Sequence, residues 1–392
     1  MKNIRIAIVT NTVPPYRIEL FKDWAKQVDL SIFVAEYLPP GRHWNVIKDI
    51  SKETQIKLLK TIPFGFRNHK MLWPRGLYEI INSVDVVLVG GTWRTIPITW
   101  QTVRMVKRAG KRVIFWTGDI FNNYYFRSEG KDNLIKRIKI QMYFRYHRTI
   151  LRYVDAVLAY GKKTADYYIK EGIDREKVFW GTQIIYPGIL PKKEVPSSAE
   201  VKYSRESFGI PEDAIIGLYF GYFTKRKGLE YLLDAFQSIN SPNHWLIMAG
   251  DGDNLKNLKK KFISLKQVIF TGHVDWEDKT YLYKLADYFV IPTLYDPWAQ
   301  VIMEAMFAGL PIITTTEVGC EDIVLNNITG LIVKPANKTD LKVAMIKMED
   351  YKYRQIFSKN SINTISKYNL NYANRAFMKS VKMAYKSSKS RI

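Results

Sequence analysis

Short apolar runs alternate with amphipathic stretches along the whole chain. In the first half the runs are Ile4 to Thr10, Leu30 to Ala35, Val84 to Gly90, Arg112 to Trp116, Ala156 to Ala159 and Val178 to Trp180. Between them Glu19 to Gln27, Thr95 to Arg108, Leu134 to Tyr153 and Lys163 to Glu171 carry helical periodicity. Strand-length runs alternating with helical patterns predict a parallel sheet covered by helices on both faces. The alternation breaks where Pro187, Gly188, Pro191, Pro196, Ser197 and Ser198 predict a hinge. It then resumes as strands Ile215 to Phe220, Trp245 to Ala249, Gln267 to Thr271, Tyr288 to Pro292, Pro311 to Thr315 and Gly330 to Val333, the first five each expected to lead through a loop into a helix. A helical tail follows from about Tyr372 to Lys389.

One helix departs from the amphipathic rule. From Pro297 through Gly309 nearly every residue is apolar, with Asp296 just ahead of the run and Glu304 the only charge within it. A segment without a clean polar face belongs in the interior, where an unpartnered carboxylate is costly. Glu304 therefore needs a partner from elsewhere in the fold, or from a ligand that offers hydroxyls. Asp296 has two readings: N-cap of a helix that starts with Pro297, or ligand contact, and the two are compatible.

With 392 residues the chain exceeds what one core usually serves, so two domains are expected, 1–190 and 191–371, with the tail 372–392 packing back on the first. Nearly half of the residues are hydrophobic, which excludes a disordered chain. No run reaches the roughly eighteen apolar residues of a membrane span, and Met1 to Ile6 reads as a first strand rather than a signal peptide. A cytoplasmic location is expected. The single cysteine, Cys320, excludes an internal disulfide, and the five histidines lack metal-ligand spacing.

Charge is placed unevenly. Of the formal net +23, residues 1–190 hold 32 Lys and Arg against 16 Asp and Glu, and residues 101–152 hold 13 against 3. Such a field suits nucleic acid, an anionic membrane or phosphorylated substrates. The cationic, aromatic stretch Leu134 to Tyr153 has two readings, a helix resting on anionic lipid and a helix that packs its rings and shows its charges to water.

If both halves are doubly wound, ligands belong at the carboxyl ends of the strands. There the strand ending in Gly221 leads into Thr224, Lys225, Arg226, Lys227 and Gly228, three cations at a helix start beside a glycine. The backbone N–H groups of Trp298 to Val301, Gln300 among them, are expected to face the same strand ends and to hold a second edge of a pyrophosphate. Glu304, two turns on, reaches a ribose or sugar hydroxyl, and the turn around Gly319 closes over the ligand.

Tyr219 to Phe236, Gly250-Asp251-Gly252, Val268 to His273, Ala286 to Pro292 and Asp296 through Gly330 together resemble the donor-binding half of the retaining family 4 glycosyltransferases, of GT-B fold with two Rossmann-like domains facing across a cleft. The resemblance covers most of residues 215–335. It implies a nucleotide-diphosphate sugar as donor, transfer to a glycan or lipid-linked acceptor with retained configuration, and no essential metal or other cofactor. The family's two acids, separated by seven residues, fall on Asp296 and Glu304, implying contact of the first with the donor sugar and of the second with ribose. The diphosphate lysine falls on Lys227, while the usual arginine five residues earlier is Tyr222, leaving Lys225 or Arg226 to supply that charge. Aspartate at 296 replaces the usual glutamate.

The first half resembles the family in outline only. The usual glycine pair after the first strand is replaced by Thr10 to Arg17, and the usual histidine after Arg112 to Trp116 by Thr117-Gly118-Asp119. Asp119 is the candidate for positioning the acceptor hydroxyl or steadying the positive sugar, with a turn-forming role as the alternative. Gly90 to Arg94 and tryptophans such as Trp44, Trp73, Trp93 and Trp116 are candidates for the acceptor side. The other functional reading is a non-catalytic protein that grips anionic lipid or nucleic acid through its basic half, although nucleic acid is not the expected partner.

Overall fold

The computed structural model describes residues 4–36, 56–64, 71–90, 95–120, 141, 144–145, 147–186, 188, 190, 205–275 and 278–386. The described residues divide into two compact units. One holds those up to Ile120, those from 141 to Ile184 and those from Asn369 onward; the other runs from Ile185 to Tyr368.

The first unit is built on strands β1 (Arg5–Thr10), β2 (Asp29–Val34), β3 (Ile56–Leu58), β6 (Val86–Val89), β7 (Arg112–Thr117), β8 (Ala156–Ala159) and β9 (Val178–Trp180), with a small antiparallel pair β4 (Thr61–Phe64) and β5 (Met71–Pro74). The main sheet has the order β3-β2-β1-β6-β7-β8-β9 and is parallel throughout. The central strands are buried on both faces, as a sheet sandwiched by helices requires. Helices α1 (Ile18–Ala25), α2 (Leu77–Ser83), α3 (Ile96–Arg108) and α4 (Lys162–Lys170) supply the cover. Sequence periodicity located α1, α3 and α4 to within a few residues; it did not register α2, β3 or the β4–β5 pair, which are short and carry little pattern. Gly91 to Arg94, Trp44 and the Leu134 to Ile140 part of the basic stretch lie outside the described residues. Within that stretch residues 147–151 are helical, with His147, Ile150 and Leu151 buried.

The second unit repeats the design with β10 (Ile215–Phe220), β11 (His244–Ala249), β12 (Val268–Gly272), β13 (Tyr288–Ile291), β14 (Ile312–Thr315) and β15 (Gly330–Val333), in the order β12-β11-β10-β13-β14-β15. All five pairings are parallel. Helices α5 (Leu229–Gln237), α6 (Leu255–Lys261), α7 (Lys279–Leu285), α8 (Gln300–Phe307), α9 (Lys338–Lys347) and α10 (Tyr351–Ile365) complete it.

Two expectations need correction here. The fifth strand leads to no helix: residues 316–329 form turns and two isolated bridges before β15. Thr329 Oγ1 and Asn326 Oδ1 accept backbone N–H groups there, so side chains satisfy the backbone locally. The apolar helix begins at Gln300 rather than near Pro297, because Asp296 Oδ1 accepts the Trp298 N–H at 3.1 Å and Ala299 is extended. Phe307, at its end, is exposed.

The tail forms α11 (Leu370–Lys386), which belongs to the first unit and places Ala373, Phe377, Val381 and Ala384 in its core. Phe377 stacks on Trp24 of α1, centroids 4.0 Å apart and planes 7° from parallel. Among the described residues no helix is long and apolar enough to cross a membrane.

Candidate active site

In the second unit the strand order reverses between β10 and β13, which makes the carboxyl ends of these two strands the place where such a sheet opens a crevice. The loops leaving them are tied together. The Arg226 carbonyl accepts the Leu294 N–H at 2.7 Å and the Thr293 hydroxyl at 3.1 Å. Residues Lys225–Lys227 form a single 3-10 turn that ends on Gly228, which takes φ +67° and starts α5. A Cβ on Gly228 would stand 2.2 Å from the Pro292 carbonyl, so only glycine lets the two loops approach this closely.

That approach puts cations on Asp296. Lys227 Nζ donates to Asp296 Oδ2, and Arg226 Nη1 donates to the same oxygen at 3.2 Å and to the Tyr295 carbonyl at 3.0 Å. Lys227 and Asp296 are 7% and 5% exposed, whereas the Arg226 side chain keeps a third of its surface. Burial alone would raise the Asp296 carboxyl, but Lys227, then Arg226 and the Trp298 N–H, outweigh it and hold the group at about 2. It is therefore anionic at every physiological pH.

The backbone of Asp296 is fixed from the next loop. Its N–H donates to the Glu317 carbonyl at 3.1 Å and its carbonyl accepts the Gly319 N–H at 2.8 Å. A Cβ on Gly319 would lie 1.9 Å from the Pro297 carbonyl. Cys320 follows as a small buried residue whose thiol is pushed up by burial and stays protonated.

Glu304 is buried about one turn into α8. Lys279 Nζ, from the start of α7, contacts its two oxygens at 2.9 and 3.2 Å, and the Tyr283 hydroxyl donates at 2.9 Å. Lys279 also lies 5.1 Å from the centre of the Phe220 ring at the end of β10. The partner of this acid thus comes from elsewhere in the fold. Sequence reasoning missed it, although Lys279 and Tyr283 stand four residues apart and so share a helix face.

Of the nine predicted site residues, eight lie in the second unit: Gly221, Arg226, Lys227, Asp296 and Gly319 on or beside these loops, and Gln300, Val301 and Glu304 on α8. The Gly221 N–H is used in donating to the Ala249 carbonyl. Gln300 and Val301 open α8, whose first turn has no acidic residue and whose cap has no side-chain hydrogen bond. Asp119 belongs to the first unit, at the end of β7, where its N–H donates to Thr117 Oγ1 at 3.1 Å and its carbonyl accepts the Tyr168 hydroxyl at 3.3 Å. Among the described residues no three His, Cys, Asp or Glu side chains gather as a metal site.

Residues 201–364 match the family described as glycosyl transferases group 1. An uncharacterized glycosyltransferase of Methanocaldococcus jannaschii is 32% identical over 186 residues, 46% of this chain and 48% of its own length. The mannosylfructose-phosphate synthase of Agrobacterium fabrum is 28% identical over 227 residues, 54% of this chain and 48% of its own length. The chain thus spans about half the length of these curated relatives. Among solved structures, Anabaena HepE in complex with UDP superposes with a TM-score of 0.72 at 15% identity, covering 97% of this chain and 100% of that one. Sucrose-phosphate synthase of Thermosynechococcus elongatus gives 0.70 at 17%, covering 98% and 100%. At such identities the likeness shows the fold alone, the GT-B class with two Rossmann-like domains.

Proposed function

We propose, from the premise that this chain belongs to the glycosyl transferases group 1 through residues 201–364, that it transfers a sugar from a nucleotide-diphosphate donor to a glycan or lipid-linked acceptor. The observation that carries this reading is the cluster of Lys227, Arg226 and Asp296 on the two loops that leave the switch point of the second sheet, with Glu304 buried in the helix that follows the second of them. Lys227 and Arg226, with the uncapped start of α8, supply the positive field that a departing diphosphate needs. This makes metal-free transfer the natural proposal. HepE was solved with UDP, so uridine diphosphate is the first nucleotide to try.

The charge pairing suggests how donor and site exchange partners. A diphosphate that takes Lys227 and Arg226 releases the Asp296 carboxylate toward hydroxyls of the donor sugar. Glu304, eight residues on, is assigned to the ribose. The bond between the anomeric carbon and the diphosphate oxygen breaks, the acceptor oxygen attacks from the same face, and its proton passes to the departing phosphate. Configuration is retained and no protein nucleophile is consumed. Asp119, on the first unit, is assigned to positioning the acceptor hydroxyl. Peripheral attachment to an anionic membrane through the basic stretch is part of the proposal where the acceptor is lipid-linked. No observation at the donor loops favours the alternative of a non-catalytic binding protein.

The test is a thermal-shift screen of UDP and UDP-sugars followed by a transfer assay with the donor that stabilises the protein, repeated with EDTA present. Stabilisation that saturates, and transfer that falls sharply in Lys227→Ala and Glu304→Ala at subsaturating donor, is the expected result. Unimpaired transfer in both variants would sink the assignment.

A further inference from the structure

The carboxyl edge of the first sheet holds a buried cation that the donor site does not use. Arg17, the residue before α1, is 7% exposed. Its guanidinium carbon lies 4.2 Å from the ring centre of Trp116, at the end of β7, and 4.9 Å from that of Tyr160, after β8. Its Nη2 donates to the Tyr160 hydroxyl, while its Nε has no hydrogen-bond partner. Among the described residues no carboxylate pairs with it. The neighbourhood is shaped for this arrangement: a Cβ on Gly118 would stand 2.1 Å from the Tyr160 ring, and one on Gly90 would stand 2.3 Å from the Trp116 carbonyl.

A buried charge needs a counter-charge or a full set of hydrogen bonds. The rings of Trp116, Tyr160 and Tyr16, the last 5.8 Å away, and one phenol answer only part of the guanidinium's five donors. Two helix starts lie beside it, one of them with Glu19 in its first turn, paired to Lys22. Helix α1 starts just after Arg17 and α4 just after Tyr160, and neither start carries a side-chain cap. On the far side of the Trp116 ring Thr182 accepts its Nε1–H at 3.0 Å, and the amide nitrogen of the next residue in the chain, the buried Gln183, has no partner. Among the described residues no carboxylate balances the guanidinium.

We infer that Arg17 is an anion-binding residue of the first unit and takes a phosphate group of the substrate held at the carboxyl ends of β1, β7 and β8. The planar fork, its orientation fixed between Trp116 and Tyr160, suits the bidentate grip that phosphate oxygens offer. On the transferase reading, on which this assignment of the ligand rests, the phosphate belongs to the acceptor; the donor diphosphate is the other source of the same chemistry.

The experiment is calorimetric titration of inorganic phosphate into the full-length protein, with and without saturating UDP, for the wild type, Arg17→Gln, Arg17→Lys and Lys227→Ala. Saturable phosphate binding that survives UDP and Lys227→Ala, and weakens about tenfold or more in Arg17→Gln, is expected for an acceptor phosphate. Phosphate binding abolished by UDP, with UDP itself about tenfold weaker in Arg17→Gln, keeps the anion site and assigns it to the donor. If Arg17→Gln does not fold, Arg17→Lys decides, since it retains the charge and loses the fork. Phosphate affinity equal to wild type in the folded variant, or no saturable phosphate binding in the wild type, overturns the inference. UDP binding that depends on Lys227 tests the transferase reading separately, so the two can fail independently.

Discussion

Lys279 and Glu304 form a buried ion pair between the start of α7 and the middle of α8, with Nζ 2.9 and 3.2 Å from the two carboxylate oxygens. Removing one partner of such a pair leaves an uncompensated charge and costs about 3–5 kcal/mol, whereas removing both costs much less. Lys279→Met is therefore expected to lose about 3 kcal/mol, and Lys279→Met/Glu304→Gln to recover more than half of it. Urea unfolding of the four members of this cycle measures the coupling, expected at about 1–3 kcal/mol. Strictly additive losses would mean that Tyr283 alone satisfies Glu304.

Asp296 binds two cations of unequal burial, and their variants should separate accordingly. Lys227→Ala leaves the carboxylate to Arg226 and the Trp298 N–H and removes the more deeply buried cation, so kcat/KM is expected to fall by about 10² to 10³. Arg226→Ala, from a third-exposed side chain, should lose about tenfold. Because Asp296 is held at about 2, an acid limb in the rate profile between pH 5 and 8 should persist unchanged in Asp296→Glu. Initial rates at subsaturating donor across that range provide the check. An acid limb that shifts with Asp296→Glu would show that this carboxylate titrates during turnover.

Much of this site was legible in the chain itself, because its parts are local. Lys227 against Gly228, Asp296 before an apolar run and Glu304 within it are each visible in a window of a dozen residues. The Lys279 contact was not, since it spans 25 positions and depends on how α7 packs against α8. Arg17 was equally silent: a cation in a Pro-Pro-Tyr-Arg loop reads as solvated until Trp116 and Tyr160 are brought to it from other strands. The same logic explains the fold. Strands buried on both faces announce themselves by composition, whereas β3, β4 and β5 have three or four residues each and are defined by their neighbours.

Gly319 and Gly110 differ in what a side chain would meet, and this separates packing from backbone conformation. A Cβ on Gly319 collides with the Pro297 carbonyl at 1.9 Å; at Gly110, with φ +68°, nothing lies within 4 Å. Gly110→Ala is expected to cost only the left-handed backbone penalty, about 1–2 kcal/mol. Gly319→Ala must push apart the loop that clamps Asp296, so it should lose more stability and also weaken UDP binding. Parallel urea titrations and calorimetry on the two variants give the comparison. Equal losses with unchanged UDP affinity would mean that the loop relaxes without disturbing the site.

His147 makes the first unit sensitive to mild acid. Its ring is buried between Phe115 and Tyr168, with Nε2 3.1 Å from the Tyr168 hydroxyl. Burial first, and Arg148 second, lower the imidazole to about 3. The folded ring is therefore neutral at pH 5, while in the unfolded chain it takes a proton below about 6.5. A depressed folded value means that the contribution is complete above pH 6.5 and is lost as pH falls toward about 3. At pH 5 the loss from this group is expected to be about 2 kcal/mol. His147→Gln, which can still bond to Tyr168, should be less stable than wild type at pH 7 yet lose correspondingly less on acidification. His244 remains in the variant and is also lowered by burial, with Glu349 opposing, so a smaller acid slope should survive. Urea midpoints at pH 7, 6 and 5 follow the difference, and identical slopes in the two proteins would exclude His147 as the acid-sensitive group.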